Sequence, residues 1–216
     1  MTEATTWPIA IPGVEYYYAD DYAAIIHGDS LEILPSIPDN AFDLCLTDPP
    51  YGIGCNYDTY TDDQEGLAKI IEAVQSHLAN RISQCTLLTP GNKNMWKYPE
   101  PTWTLSWTCP QGVGLSRWGF ICWHAILAYG PDPYLKNGKG SRPDVIIKTE
   151  ASSKGLGHPC PKPLNVWKEI LNRGSVSTDD IIFDPFMGSG TTLEAAKSLN
   201  RRCIGIELSE EYCAMA

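Results

Sequence analysis

The sequence predicts an α/β fold built on a mostly parallel sheet. Two observations carry this expectation: short, almost wholly apolar runs that end at a Gly, a Pro or a carboxylate, and amphipathic helices interleaved between them. Residues 23–27 (AAIIH) run into Gly28-Asp29, and residues 42–47 (FDLCLT) run into Asp48-Pro49-Pro50. A helix follows, with Leu67, Ile70, Ile71, Val74, Leu78 and Ile82 on one face. Residues 86–89 (TLLT) read as the next strand, closed by Pro90-Gly91. Residues 120–129 and 144–148 (DVIIK) read as two more, separated by a polar loop at 130–142. Leu164, Trp167, Ile170 and Leu171 define a second amphipathic helix. Residues 180–183 (DIIF) end in Asp184-Pro185, and a third helix, capped by Thr191 or Thr192, runs through Glu194, Ala195 and Leu199. Residues 203–206 (CIGI) end in Glu207. Such alternation covers both faces of a sheet with helices.

The 216 residues fit one domain, with 92–157 as a candidate insertion; 43% apolar residues supply a core. No apolar run approaches the roughly 20 residues that cross a bilayer, and the start has no basic or apolar leader pattern, so a cytoplasmic protein is expected. Eight dispersed cysteines without a CxxC pair read as buried thiols, with no metal site. Five of the seven tryptophans fall between 96 and 123 and are read first as core packing. The net charge of -10 argues against electrostatic coating of nucleic acid, yet its distribution is uneven. Residues 1–80 hold fourteen acids and one base, Lys69, whereas 136–173 hold eight bases and three acids. The second segment is either a docking surface for a polyanion or a solvated loop, and the acidic third is expected to face away from such a partner.

Asp48-Pro49-Pro50-Tyr51 directly follows a strand, where a parallel sheet directs its chain towards a ligand crevice. The prolines fix the backbone and remove two N–H donors, so carboxylate, free carbonyl and aromatic face stand together. That set suits a planar ring bearing an NH₂ group; the alternative is an ordinary proline-rich turn. Residues 184–192 (DPFMGSGTT) also follow a strand and open a helix, with Gly188 and Gly190 admitting a ligand close to the backbone N–H groups. The Gly-Lys-Ser/Thr ending of a phosphate loop is missing. Glu207, 17 residues beyond Gly190 at the end of the next strand, is placed as ribose-binding acids are. Together with Asp184 it points to an adenosine-containing ligand that also carries a cation and a carboxylate.

On residues 25–54, 158–171 and 179–208 the chain resembles the S-adenosylmethionine-dependent amino-methyltransferases of DNA, in the permuted beta class whose catalytic motif precedes the cofactor loop. The resemblance implies a circularly permuted Rossmann-like fold, S-adenosylmethionine as cofactor and double-stranded DNA as substrate, with a flipped-out base. It gives catalysis to Asp48, Pro49, Pro50 and Tyr51. It gives the methionine end of the cofactor to Asp184, Phe186, Gly188, Gly190, Thr191 and, within residues 158–163, Lys162; the ribose to Glu207; and the adenine to Asp29. Asp29 equally suits a helix cap near Leu31, and Lys162 a surface lysine. Asp at the head of the tetrapeptide leans towards adenine N6, with cytosine N4 the alternative. Other readings are methyl transfer to RNA or a glutamine side chain, and a non-catalytic nucleic-acid-binding subunit. The small 92–157 stretch leaves target recognition to few contacts, to a second copy or to a partner subunit.

Overall fold

The computed structural model describes residues 7–54, 56–57, 60–112, 114–149 and 162–216. Strand β1 (Tyr18–Ala19) turns back on β2 (Ala23–His27), which leads to the short helix α1 (Ser30–Ile33) and strand β3 (Phe42–Thr47). A small hairpin, β4 (Asn56–Tyr57) and β5 (Tyr60–Thr61), precedes α2 (Gln64–Ala73), which passes through a widened π-type turn (Val74–Leu78) into α3 (Ala79–Arg81). Then come β6 (Ile82–Leu88), β7 (Trp103–Thr108), a second hairpin of β8 (Gly114–Ser116) and β9 (Gly119–Ile121), and β10 (Trp123–Tyr129). The remainder is α4 (Pro133–Lys136), β11 (Val145–Ile147), α5 (Leu164–Gly174), β12 (Ile181–Asp184), α6 (Thr191–Ser198), β13 (Arg202–Glu207) and α7 (Glu210–Met215).

Nine strands form one sheet in the order β1-β2-β13-β12-β3-β6-β10-β7-β11. The block β2-β13-β12-β3-β6 is parallel throughout, and β10 runs against both of its neighbours. The late strands β12 and β13 thus fill the gap between β2 and β3. Consequently Asp48, Asp184 and Glu207 all emerge at the same carboxyl edge, whatever their separation in sequence.

Both faces of the central strands are covered, which explains their continuous apolarity. On one side Leu67, Ile70 and Val74 of the α2 region pack with Ile26, Phe42, Phe183 and Ile206. Phe42 and Phe183, on adjacent strands, lie parallel with ring centres 4.2 Å apart. On the other side Val166, Trp167 and Ile170 of α5 and Ala195 and Ala196 of α6 close over Ile25, Leu44, Leu46 and Ile182.

Several elements differ from the expectation. The amphipathic helix stops at Arg81, and Ile82 belongs to β6, where it pairs with Phe42. The polar start of β6 obscures that strand: Ser83 and Gln84 donate to Asp43 on the neighbouring strand. Strand β7 was not anticipated, and the single run expected over 120–129 is two strands broken at Cys122. Helix α6 is not capped by threonine; Gly190 holds the N-cap position at φ 87°, and Thr192 turns its hydroxyl inward. Of the five clustered tryptophans only Trp107 is buried, while Trp96, Trp103, Trp118 and Trp123 are exposed. The β8–β9 hairpin forms a separate two-stranded sheet, whereas β7, β10 and β11 join the main sheet. The described cysteines are all unpaired, five of them buried and Cys122 half-buried; Cys55 and Cys160 lie outside the described residues.

Trp167 is wholly buried and donates its indole N–H to Thr192 across the α5–α6 contact, 2.8 Å away. Trp167→Ala is expected to lower unfolding free energy by about 3–5 kcal/mol, read by urea denaturation.

Candidate active site

The carboxyl ends of β2, β3, β12 and β13 surround a cavity of about 330 Å³. Asp48, Pro49, Pro50 and Tyr51 form one wall; Asp184, Phe186, Gly188, Thr191, Glu207 and Asp29 form another, and Lys162 and His124 also reach it. The sequence-predicted residues therefore converge, with Gly190 standing behind the wall as the N-cap of α6.

Asp48 is fully engaged. Its Oδ1 accepts from the Tyr51 hydroxyl at 2.5 Å and from Thr89 Oγ1, and its Oδ2 accepts from Lys162 Nζ. Burial, reinforced by the adjacent Asp48 charge, holds the Tyr51 hydroxyl well above its usual range, so it remains a donor. The backbone after Tyr51 is fixed as well. Asn94 donates to the Tyr51 carbonyl at 2.7 Å, and the buried Asp62 accepts from the Gly52 and Ile53 N–H groups at 2.6 and 3.1 Å. Gly91, at φ 70°, lets the chain pass against the Tyr51 ring.

Asp184 is 3% exposed and staples the second wall. It accepts from Thr47 Oγ1 at 2.6 Å, from Thr192 Oγ1 at 2.5 Å and from the Phe186 N–H at 3.1 Å. Burial outweighs those bonds and pushes its carboxyl up to about 6. Glu207 accepts from Gly188 N–H at 2.9 Å and Ser209 N–H at 2.8 Å, and burial raises it too. Two N–H groups of the loop are engaged within the chain: Gly188 gives its N–H to Glu207 and Gly190 gives its own to the Met187 carbonyl. Asp29 does cap α1, accepting from Leu31 N–H at 2.8 Å, and lines the cavity while doing so.

Residues 88–216, more than half of the chain, match the profile of a family described as DNA methylase, of the N6/N4 amino type. The chain belongs to this DNA methylase family. It is 28% identical over 254 residues to the type II methyltransferase M.ScaI of Streptomyces caespitosus, covering 94% of this chain and 83% of that one. It is 27% identical to the DNA adenine methyltransferase YhdJ of Escherichia coli K12, covering 92% and 82%. The solved PvuII cytosine-N4-specific DNA methyltransferase shares its fold with a TM-score of 0.71 at 17% identity, over 94% of this chain and 88% of that one. The M1.HpyAVI–SAM complex matches with a TM-score of 0.65 at 22% identity, over 90% and 97%. These likenesses fit the mostly parallel methyltransferase sheet.

The cofactor of the methylase is S-adenosylmethionine, and the residues present fit it. Among the described lining residues, Asp29, Asp48, Asp62, Asp184 and Glu207 are carboxylates against one ammonium, Lys162. Such a cavity attracts a sulfonium and repels phosphates. Phe186, Ile206 and Leu31 supply apolar surface for a purine. From the acidic first third, Asp62 lines the cavity in addition to the expected Asp29 and Asp48. The 136–173 segment is not one basic face. Arg142 donates to the carbonyls of Asn172 and Arg173 at the end of α5 and stacks over Tyr134, Arg173 pairs with Asp132, and Lys148 pairs with Glu169. Residues 130–142 follow Tyr129, which pairs with Thr86 two residues before the end of β6, at the end of β10 away from His124. Among the described basic residues of 136–173 only Lys162 lines the cavity, and there it sits on Asp48. Residues 158–161 and Lys154 lie outside the described residues.

Sequence reading missed Thr47, Thr89, Asn94, Asp62 and His124, and read Thr192 as a helix cap rather than as a partner of Asp184. Thr47 was the most accessible, since it directly precedes Asp48; the others arrive from separate elements. His124 stacks on Trp107 at 4.8 Å, and burial followed by the Lys162 charge lowers its imidazole below the usual range.

The Asp184 shift has a stability consequence. A carboxyl raised in the folded state contributes stability that is full below its ordinary value, near 4, and lost as pH rises through about 6. Asp184→Asn is expected to remove that loss, so the melting temperature of the variant relative to wild type rises between pH 4 and 7; a parallel pair of curves refutes it.

Proposed function

We propose that this methylase transfers the methyl group of S-adenosylmethionine to the exocyclic amine of a base flipped out of double-stranded DNA, adenine N6 rather than cytosine N4. The observation that carries the reading is the Asp48 carboxylate, held by Tyr51, Thr89 and Lys162 at the cavity wall. An exocyclic amine is a weak nucleophile because its lone pair is delocalised into the ring. Donating one hydrogen to Asp48 Oδ2 and the other to the Pro49 carbonyl draws that nitrogen towards the pyramidal geometry in which the lone pair is free to attack. Pro50 fixes the carbonyl's direction, and Tyr51 offers its ring to the base. Bound cofactor supplies the electrophilic methyl. Lys162 Nζ, a cation donating to Oδ2, holds the seat of the amine before the base enters and must yield that oxygen to it.

Asp29, Glu207 and the residues from Asp184 to Thr191 serve the cofactor, with Glu207 facing the ribose and the Asp184 loop the methionine end. Support for adenine is Asp at the head of the tetrapeptide. The whole chain acts as one methyltransferase domain, with recognition drawn from 92–157; no helix among the described residues is long and apolar enough to cross a membrane.

Labelled S-adenosylmethionine offered with unmethylated DNA, RNA and protein in parallel tests the acceptor. Label in DNA, recovered as N6-methyladenine after digestion to nucleosides, is expected. N4-methylcytosine overturns the choice of base, and label in RNA or protein alone overturns DNA as substrate. Asp48→Ala should cost at least about 10²–10³ in kcat while cofactor affinity by calorimetry stays within about twofold. Glu207→Ala should do the reverse, weakening cofactor binding by about tenfold or more.

A further inference from the structure

Between Glu100 and Asp132 the sequence contains no carboxylate and only one Lys or Arg, Arg117, although the chain holds 26 acids. The structure builds this stretch into β7, β10 and the hairpin between them. Thr108 pairs with Trp123, Cys109 N–H donates to the Cys122 carbonyl, and the pairing resumes with Leu115 opposite Phe120 and Ser116 opposite Gly119. Trp123 adjoins His124, a lining residue of the active site, so the hairpin rises from the rim of the cavity. Its tip lies six residues from His124, a chain reach of at most roughly 20 Å.

The turn is fastened from within: Ser116 Oγ accepts from Trp118 N–H at 3.1 Å and donates to the Gly119 carbonyl at 3.0 Å. That fixed turn presents apolar side chains to water. Trp118 is 100% exposed, Phe120 75% and Leu115 74%. Exposed clusters of this size mark interaction surfaces. Its chemistry selects the occupant. An aromatic tip beside an arginine, without a carboxylate on either strand, suits stacked bases edged by phosphates, and it adjoins the cavity that a flipped base must enter.

We infer that the β8–β9 hairpin is a wedge that enters duplex DNA beside the target base, with Trp118 stacking in the space the base leaves and Arg117 on the adjoining phosphate. This rests on the proposed reading that duplex DNA is the substrate. Such a wedge offsets the loss of stacking when a base leaves the helix, so it matters for duplex and not for a strand already unpaired.

The test compares Trp118→Ala and Trp118→Phe with wild type on an unmethylated phage genome, as single-stranded circle and as double-stranded form of the same sequence. The expected result is a loss of kcat/KM of about tenfold or more for Trp118→Ala on the duplex, less than about twofold on the single strand, and recovery to within about threefold for Trp118→Phe. Equal loss on both forms, or no loss, overturns the wedge. If wild type turns over only the duplex, the alanine loss with phenylalanine recovery supports the wedge, and failure of phenylalanine to recover overturns it. Sedimentation velocity separates the competing occupant: a wild-type dimer that Trp118→Ala converts to monomer makes the hairpin a subunit contact and overturns the proposal. Wild type that methylates neither DNA form overturns the reading of the site, and the wedge with it; wild type active with an unaffected variant overturns the wedge alone.

Discussion

Asp184 carries a carboxylate into the buried interior of the molecule, and the active site is arranged around satisfying it. Thr47 answers it from the end of β3, Thr192 from the first turn of α6 and Phe186 from the intervening loop. Each donor fixes something the chemistry uses. Thr47 sets the register of the residue that follows it, Asp48; Thr192 relays the constraint to Trp167 on α5; and the Phe186 N–H shapes the wall of the cavity. A buried acid with one donor missing is left under-compensated, so the two walls are coupled through this side chain rather than folded separately.

The strand order makes that coupling long-range. Because β12 and β13 lie between β2 and β3, the Asp48 tetrapeptide and the Asp184 loop occupy neighbouring positions of one sheet edge despite being more than a hundred residues apart in the chain. Asp48 then depends on four parts of the chain: its own strand, Tyr51 from the following turn, Thr89 just after β6 and Lys162 ahead of α5. Geometry of this kind is rigid where it must hold a carboxylate and adjustable only at Lys162, whose long side chain makes the remaining contact.

Much of this was legible in the residues. The parallel strands announced themselves because both faces are buried, so AAIIH, FDLCLT and DIIF needed no alternation to be recognised. The tetrapeptide and the glycine loop were legible for the same reason, since each directly follows such a run. What escaped had a common cause. β7 carries two tryptophans, Trp103 exposed at its start and Trp107 buried further along, so its aromatic content read as core. The start of β6 is polar because Asp43 satisfies it, and the threonine hydroxyls at 47, 89 and 192 acquire meaning only once distant strands meet. The basic segment misled because charge counted along a chain says nothing of which guanidinium is spent on a helix end, as Arg142 is.

β10 is the reversed strand at the active end of an otherwise parallel run, and that reversal replaces a crossover helix by a hairpin connection. A crossover would lie on a face of the sheet, locked into the core. A hairpin grows away from it, and its length changes in steps of one residue per strand without shifting the pairing of β7 with β10. The methylase therefore carries a segment open to insertion beside the cavity, so new surface is accessible there while Asp48 and Asp184 keep their partners.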